Sequence, residues 1–195
     1  MSAHVAFQWG PGARYSFRGS WVVTMRHLFF ALAPDAALRD AIASDAARLH
    51  LAWGGRATKP AKLHMTLRFL QGFSDPLPGD VLAAARAAGD AIDSAPFEFG
   101  LDRADRFGRR IGWLGCAVTP RPLQALHDAL TEACRAHAVP MREEERFVPH
   151  VTILRDPQRA VPSAIAPLRW QVDGFVLMAS AEGEYEVLGR WPLRA

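Results

Sequence analysis

Residues 62–70 read "KLHMTLRFL", a stretch with the composition of a β-strand that nevertheless carries a histidine. Successive side chains of a strand point to opposite faces, so alternate residues share a face. His64, Thr66 and Arg68 are therefore predicted to lie on one face, with bulky apolar side chains on the other. Such a strand packs its apolar face on a core and presents an imidazole and a hydroxyl on the opposite side.

A second stretch, residues 147–156, repeats this pattern as "FVPHVTILRD". His150 and Thr152 share a face, with apolar side chains behind them. With seven histidines in 195 residues, fewer than one His-x-Thr (HxT) triplet is expected by chance, and the chain has two. Strict alternation puts Arg155 on the face opposite His150, and Arg155 reaches the histidine side only if the strand ends or bulges there.

The rest of the chain alternates between helix-like and strand-like segments. Apolar residues at helical spacing predict helices at 35–53, 80–95 and 122–139. Strand patterns occur at 26–33, 62–72, 97–119 (two strands around a turn), 146–156, 170–180 and 183–193. This order predicts an α+β fold, in which each HxT strand belongs to one of two pseudo-symmetric halves.

Composition limits the classes of function. No run approaches the ~20 apolar residues of a transmembrane helix, so no membrane partner is expected. The two cysteines, Cys116 and Cys134, lack the spacing of a metal or redox motif, which predicts buried, reduced thiols in a cytoplasmic protein. We expect a monomer.

The charge balance predicts no extended nucleic-acid surface. The formal net charge is +3, but the first 24 residues hold Arg14 and Arg18 and no acidic residue. The remainder has 21 basic and 20 acidic residues, so any contact with nucleic acid is expected at one local site. Residues 1–24 have no clear period and are predicted to be a flexible extension ahead of a single domain over residues 25–195.

Two imidazoles facing one cleft favour acid–base chemistry. With an unperturbed pKa near ~6.5, one histidine can accept a proton while the other, protonated, donates one. Such a pair suits in-line attack of water on a phosphodiester, with threonine hydroxyls and an arginine binding the phosphate oxygens. This chemistry needs no metal ion and no cofactor.

"LHMTLRFL" and "PHVTILR" resemble the paired HxTx motifs of the 2H phosphoesterase superfamily. The branch they resemble most is the RNA 2′,3′-cyclic phosphodiesterases, also called 2′-5′ RNA ligase-like proteins. The stretches "MRHLFFAL", "FGRRIGWLGCAV", "PLQALHDAL" and "YEVLGRWPL" fit the same branch, so the resemblance covers about residues 25–193. One departure is Gln71, which intervenes before Gly72 where the family often has glycine directly after the first motif.

The resemblance implies a bilobal fold of two antiparallel sheets with outer helices, in which the HxT strands meet in a central cleft. It implies that His64 is the proton donor, that His150 is the proton acceptor, and that Thr66 and Thr152 bind phosphate. The implied reaction opens a 2′,3′-cyclic phosphate at an RNA end, or on a nucleotide, to a 2′-phosphomonoester.

Three further residues are candidates for substrate binding. Arg68 is in phase with the first motif, and Arg155 follows the second as the family arginine does. Phe147 precedes His150 by three residues and is a candidate for stacking on a base. His27, His50, His127 and His137 are expected to serve packing, capping or the helix surface.

Other functions fit the same residues. The site could act on a small cyclic nucleotide or a 2′-5′ linkage, or it could bind nucleotides or RNA ends without catalysis. A metal hydrolase is disfavoured because neither motif contains an aspartate or glutamate.

Overall fold

The computed structural model describes residues 24–143 and 146–194 and combines one antiparallel sheet with three α-helices. The strands in chain order are β1 Met25–Leu32, β2 Arg56–Ala57, β3 Met65–Ser74, β4 Phe97–Phe107, β5 Ile111–Gly115, β6 His150–Arg155, β7 Ser163–Val172, β8 Gly174–Ala181 and β9 Glu184–Pro192. The helices are α1 Ala36–Trp53, α2 Gly79–Asp90 and α3 Arg121–Ala136. This architecture confirms the predicted α+β class.

The two HxT strands are neighbours in the middle of the sheet. The strand order is β7-β4-β5-β6-β3-β1-β8-β9, with β2 paired to β6. A single residue pair, Met65 with Val151, joins β3 to β6. We call β3, β1, β8 and β9 the first half of the sheet, and the strands from β6 to β7, with β2, the second half. The strands thus form one continuous sheet, and the predicted division into two lobes stays a prediction.

The main core lies between the helices and one face of the sheet. In α3, Leu123, Leu126, Leu130 and Cys134 recur at helical spacing and are all buried. This helix packs with α2 on the first half, whereas α1 packs against β6 and β7 of the second half. The opposite face of the first half carries a smaller apolar cluster. Most of the buried apolar contacts that stabilise the sheet therefore lie on its helix face, and the histidines lie on the opposite face.

The predicted strand at 170–180 is wrong in its extent. Residues 163–172 form β7, and a turn at Asp173 separates this strand from β8. Pro167 lies within β7. Because proline has no amide hydrogen to donate to a neighbouring strand, its presence argues against a strand, and β7 was therefore not predicted over its full length. Because β7 is an edge strand that pairs only with β4, it accommodates the proline.

Part of the sequence-based interpretation lies outside the described residues. The predicted N-terminal extension falls there except for Thr24, whose carbonyl accepts a hydrogen bond from the Asp75 amide. Within the described ranges, no helix combines the length and the apolar character needed to cross a membrane. Cys134 is buried and Cys116 half-buried, both as free thiols. Burial raises the pKa of Cys116 to about 12 and that of Cys134 to about 11.

A β-bulge follows the threonine of each HxT motif. In β3, Thr66 lies opposite Ala31 and Arg68 opposite Phe30, which leaves Leu67 as the extra residue. In β6, Thr152 lies opposite Trp113 and Leu154 opposite Gly112, which leaves Ile153 as the extra residue. A bulge of one residue reverses the alternation of side chains after it.

The burial of the side chains follows these bulges. Leu67 and Arg68 are both buried, as are Ile153 and Leu154 at the equivalent positions of β6. The next residues, Phe69 and Arg155, are more exposed and return to the face of the histidines. The two strands thus have the same local shape, with Phe69 and Arg155 as counterparts.

Candidate active site

The register between β3 and β6 brings the four HxT side chains together. Because Met65 lies opposite Val151 in an antiparallel pair, the positions on either side face each other. Extending the register by one residue each way sets His64 opposite Thr152 and Thr66 opposite His150. All four side chains are half-buried on the face opposite the main core. The quartet is related by a local two-fold axis through the Met65–Val151 pair.

Both imidazoles are oriented by the same backbone hydrogen bond. His64 Nδ1 lies 2.9 Å from the carbonyl oxygen of Lys62, and His150 Nδ1 lies 2.7 Å from that of Val148. A carbonyl oxygen can only accept, so each Nδ1 carries the hydrogen and donates it. In both rings Nε2 is therefore the atom that can take or give a proton during a reaction.

Aromatic side chains hold each imidazole in place. The His64 ring is stacked on Phe29 at 5.1 Å and also contacts Tyr185, again at 5.1 Å between centroids. The His150 ring meets Phe107 edge-on at 4.8 Å and lies 6.2 Å from Trp113. These contacts restrict the rotation of both rings.

The four aromatic residues are absent from the sequence-based site. Phe29 belongs to the run "HLFFALA", in which apolar residues occupy both faces of the strand, and this indicates an apolar patch opposite the core. Phe107, at the end of β4, is apolar within the charged stretch "DRFGRR". These sequence features indicate apolar side chains on the histidine face, but only the register of the strands shows which ring contacts which histidine.

His64 has a lowered pKa. Desolvation by burial is the largest cause, and the positive charges of His150 and Arg155 act in the same direction, while the hydrogen bond to the Lys62 carbonyl opposes them. The influence of His150 and Arg155 on His64 is consistent with both lying near it. In the free protein the neutral form of His64 is accordingly favoured, and a bound phosphate would favour the protonated form.

The titration of His64 provides a direct check of this environment. Because its pKa is lowered, we expect the His64 ring signals in an NMR titration of the free protein to move below pH ~6.5, the ordinary midpoint of histidine. Addition of inorganic phosphate should move the midpoint upward, since the anion stabilises the imidazolium. A His64 midpoint equal to that of histidine in the urea-unfolded chain would contradict the assigned burial.

The bulge in β6 brings Arg155 to the histidine side. Strict alternation would have turned it away from His150, but Ile153 is the extra residue and restores the phase. Arg155 is exposed at the end of β6 and acts electrostatically on His64. From the sequence, Arg155 was predicted to reach the histidine face only if the strand ended or bulged before it, and the bulge at Ile153 is present.

The prediction that Arg68 shares the face of His64 is wrong. The bulge at Leu67 turns Arg68 towards α3, where its side chain is buried. Its Nη2 donates a 2.7 Å hydrogen bond to the Arg142 carbonyl, and its Nε lies 3.4 Å from Met141 Sδ. Arg68 therefore ties β3 to the segment that leads to the second motif and lies on the opposite face of the sheet from the histidines.

Phe147 also lies away from the histidine pair. Its ring is stacked on that of His127 in α3, with 4.2 Å between centroids and 14° between planes. Regular strand structure begins only at His150, so strand alternation does not apply to Phe147. The predicted stacking of Phe147 on a base is replaced by packing on the helix side. His127, expected at a helix surface, is largely buried in that stack.

Within residues 24–143 and 146–194, no three histidine, cysteine, aspartate or glutamate side chains are grouped as a metal site would require. Near the two HxT motifs, the described part of the chain brings together the imidazoles of His64 and His150, the hydroxyls of Thr66 and Thr152, and the guanidinium of Arg155.

Comparison with known proteins agrees with the sequence motifs. The family model of the 2′-5′ RNA ligase superfamily matches residues 33–184. The chain is 33% identical over 180 residues to the RNA 2′,3′-cyclic phosphodiesterase of Escherichia coli strain K12, and this match covers 86% of the chain and 97% of that protein.

Solved structures of relatives share the fold. Escherichia coli LigT in its apo form superposes with a TM-score of 0.74 at 31% identity, covering 88% of this chain and 99% of LigT. The complex of LigT with 3′-AMP gives a TM-score of 0.71 at 30% identity, with the same coverage. From the family model and the degree of identity to this relative, we conclude that the chain belongs to the 2′-5′ RNA ligase superfamily of 2H phosphoesterases.

Proposed function

We propose that this protein hydrolyses 2′,3′-cyclic phosphates at RNA ends to 2′-phosphomonoesters without a metal ion. The observation that carries the proposal is the matched pair of imidazoles, each with Nδ1 bonded to a backbone carbonyl and Nε2 available for proton transfer. The activity in the name of the Escherichia coli relative supports it. The relative's structure with 3′-AMP further supports a site of nucleotide size.

The reaction divides between the two histidines. His150 Nε2 removes a proton from water as the water oxygen attacks phosphorus, and the bond from phosphorus to O3′ breaks. His64, protonated on Nε2, gives its proton to O3′, so that the product carries a 2′-phosphate and a free 3′-hydroxyl. Each transfer typically contributes ~10²–10⁴-fold to the rate. His150 gains one proton and His64 loses one, so the net charge of the pair does not change, and proton exchange with solvent then restores the starting protonation state of each histidine.

The remaining groups stabilise the charge on the phosphate. Thr66 and Thr152 can donate hydroxyl hydrogen bonds to non-bridging oxygens, and the Arg155 guanidinium can bind an oxygen on which charge develops. A bound anionic phosphate also raises the pKa of His64, which reconciles its role as a donor with the neutral form favoured in the free protein.

The test uses a short RNA ending in a 2′,3′-cyclic phosphate, incubated with the protein in excess EDTA and followed by phosphorus NMR. We expect complete conversion to a 2′-phosphomonoester at a rate that EDTA does not change, because the proposed groups supply every proton transfer. A rate abolished by EDTA and restored by a divalent cation would contradict metal independence. Binding without turnover would favour the alternative of a nucleotide-binding module, and a 3′-phosphate product would reverse the proposed direction of ring opening.

A further inference from the structure

The carbonyl oxygen that orients His150 lies outside the regular part of the sheet. It belongs to Val148, and it accepts the 2.7 Å hydrogen bond from His150 Nδ1. The strand β6 begins only at His150, and its pairing with β5 begins there too, opposite Gly115. The position of the Val148 carbonyl therefore depends on the residues that lead into the strand.

The two residues between Phe147 and His150 form a stiff link. The ring of Pro149 fixes its own φ angle and restricts Val148, the residue before it, to extended conformations. Pro149 is also buried. A displacement of Phe147 is therefore transmitted to the Val148 carbonyl and not absorbed by rotations between them.

Phe147 is anchored by His127, the α3 side chain on which it is stacked. His127 is largely buried, and its Nδ1 donates a 2.9 Å hydrogen bond to Asp128 Oδ1. This hydrogen bond is the first cause of the lowered pKa of Asp128, which is thus present as the accepting carboxylate. The Thr131 hydroxyl donates a 2.9 Å hydrogen bond to the His127 carbonyl. Both the ring and the backbone of the anchor are therefore held.

The part of α3 that carries this anchor belongs to the main core. Leu123, Leu126 and Leu130, which lie before and after His127 in the helix, are all fully buried. Closely packed interiors resist displacement. The stack thus connects the link before β6 to a rigid element.

His64 has a different support. Its carbonyl partner, Lys62, ends a short 3₁₀ turn at Pro60–Lys62. The Lys62 side chain forms a 3.0 Å ion pair with Glu184 at the start of β9. A change in the stack of Phe147 on His127 should therefore act on His150 and leave the orientation of His64 unchanged.

We propose that His127 is a positioning residue for His150, acting through Phe147 and the Val148 carbonyl. The stack keeps this carbonyl where it accepts the Nδ1 hydrogen, which leaves His150 Nε2 free of hydrogen and able to take a proton from water. This inference rests on the proposed function and extends it, because it gives a residue on the helix face a role in orienting the proton acceptor on the opposite face.

Kinetics on a short RNA with a 2′,3′-cyclic end measure the effect. His127→Ala removes the ring beneath Phe147 and should lower kcat by ~10-fold or more, since a small displacement of a reacting group can cost ~10²-fold. KM should stay within about twofold of wild type, because the groups proposed to bind phosphate are not changed. His127→Phe keeps an aromatic ring for the stack and should restore kcat to within about threefold.

A second pair of variants separates orientation from stability. Phe147→Leu removes the other ring of the stack and should also lower kcat. Phe99→Leu is the matched control, because Phe99 is buried and stacked on Trp170 at 5.5 Å and 21° near the end of β4 opposite to Phe107. It should lower the urea midpoint as Phe147→Leu does, yet leave kcat within about twofold of wild type.

The ring nitrogens of His150 give a readout that a loss of stability alone would not change. In nitrogen NMR, the neutral ring of wild-type His150 should be the Nδ1–H tautomer, because a carbonyl accepts that hydrogen. His127→Ala should convert it to a mixture of both tautomers, since the carbonyl is no longer held in place. His64 is the internal control and should keep the Nδ1–H form in both proteins.

Several outcomes would refute the inference and leave the proposed hydrolysis intact. They are an unchanged kcat in His127→Ala, a lowered kcat with the His150 tautomer unchanged, a change of tautomer at both histidines, and no restoration by His127→Phe. If His127→Ala does not fold, Phe147→Leu is measured in the same way.

The inference can also be tested apart from catalysis. If the wild type hydrolyses no cyclic phosphate, the proposed function fails, and the nitrogen signals decide the positioning alone. A mixture of tautomers at His150 but not at His64 in His127→Ala supports the inference, and the Nδ1–H form at both histidines refutes it.

Discussion

Replacing His150 by alanine is expected to reduce kcat for opening a 2′,3′-cyclic phosphate by ~10²–10⁴-fold, and replacing His64 should cost a similar factor. Each variant removes one of the two Nε2 atoms that the Lys62 and Val148 carbonyls orient. Initial rates on a saturating RNA substrate measure the loss. His137→Ala is the control, because His137 is exposed at the end of α3. Activity within threefold of wild type in either motif variant would refute the two-histidine mechanism.

A substrate with sulfur in place of the 3′ bridging oxygen separates the two roles. A thiolate leaves without the proton that an alkoxide needs, so His64→Ala should lose much less activity on the sulfur substrate than on the natural one. His150→Ala should lose activity on both substrates, because water must still be deprotonated. The opposite result would exchange donor and acceptor between the two histidines.

Arg155→Leu is expected to lower kcat/KM by ~10²-fold, because it removes a cation that stabilises charge developing on the phosphate. The comparison is Arg68→Leu, since Arg68 occupies the position in β3 that Leu154 occupies in β6. That variant should retain activity but lose ~1–3 kcal/mol of unfolding free energy, because the Arg142 carbonyl loses its buried donor. Kinetics and urea denaturation of both variants measure the two effects.

The reverse pattern would contradict the assignment of faces. If Arg68→Leu abolished activity at unchanged stability while Arg155→Leu did not, the guanidinium at the phosphate would come from the first motif. Arg155→Lys adds a useful intermediate, since a lysine keeps the charge but loses the fork geometry that binds two phosphate oxygens.

Strand alternation was sufficient to predict which side chains of each HxT strand share a face. His64, Thr66, His150 and Thr152 precede the bulges, so the rule holds within each strand, whereas the pairing of β3 with β6 brings the two motifs together. The three helices and most strands also followed from local patterns of apolar residues. These features depend on sequence neighbours alone.

The remaining contacts depend on register, which is a non-local property. One extra residue at Leu67 sends Arg68 to the helix side, and one at Ile153 brings Arg155 to the histidines. Nothing in the spacing of either motif signals a bulge, because the extra residue is an ordinary aliphatic side chain. Likewise, the stack of Phe147 on His127 joins a loop to a helix and cannot be read from the loop itself.

The distribution of charge over the surface also could not be predicted from the composition. The domain has almost equal numbers of acidic and basic residues, and the composition therefore predicted no extended basic surface. The sheet nevertheless sets Arg56 beside Arg155, which are far apart in the sequence. The net charge is a sum over the whole chain, whereas a nucleic acid contacts only the side chains that lie on one surface.

The single pair of residues between β3 and β6 has a consequence for how the site is maintained. Backbone hydrogen bonds contribute little across this junction. The chain nevertheless passes from one half of the sheet to the other repeatedly, since β2 lies between β1 and β3 in the sequence and β4 to β7 lie between β3 and β8. Neither half is therefore formed by one continuous segment of the chain. The two histidines are thus brought together only when segments that are distant in the sequence pair within one sheet.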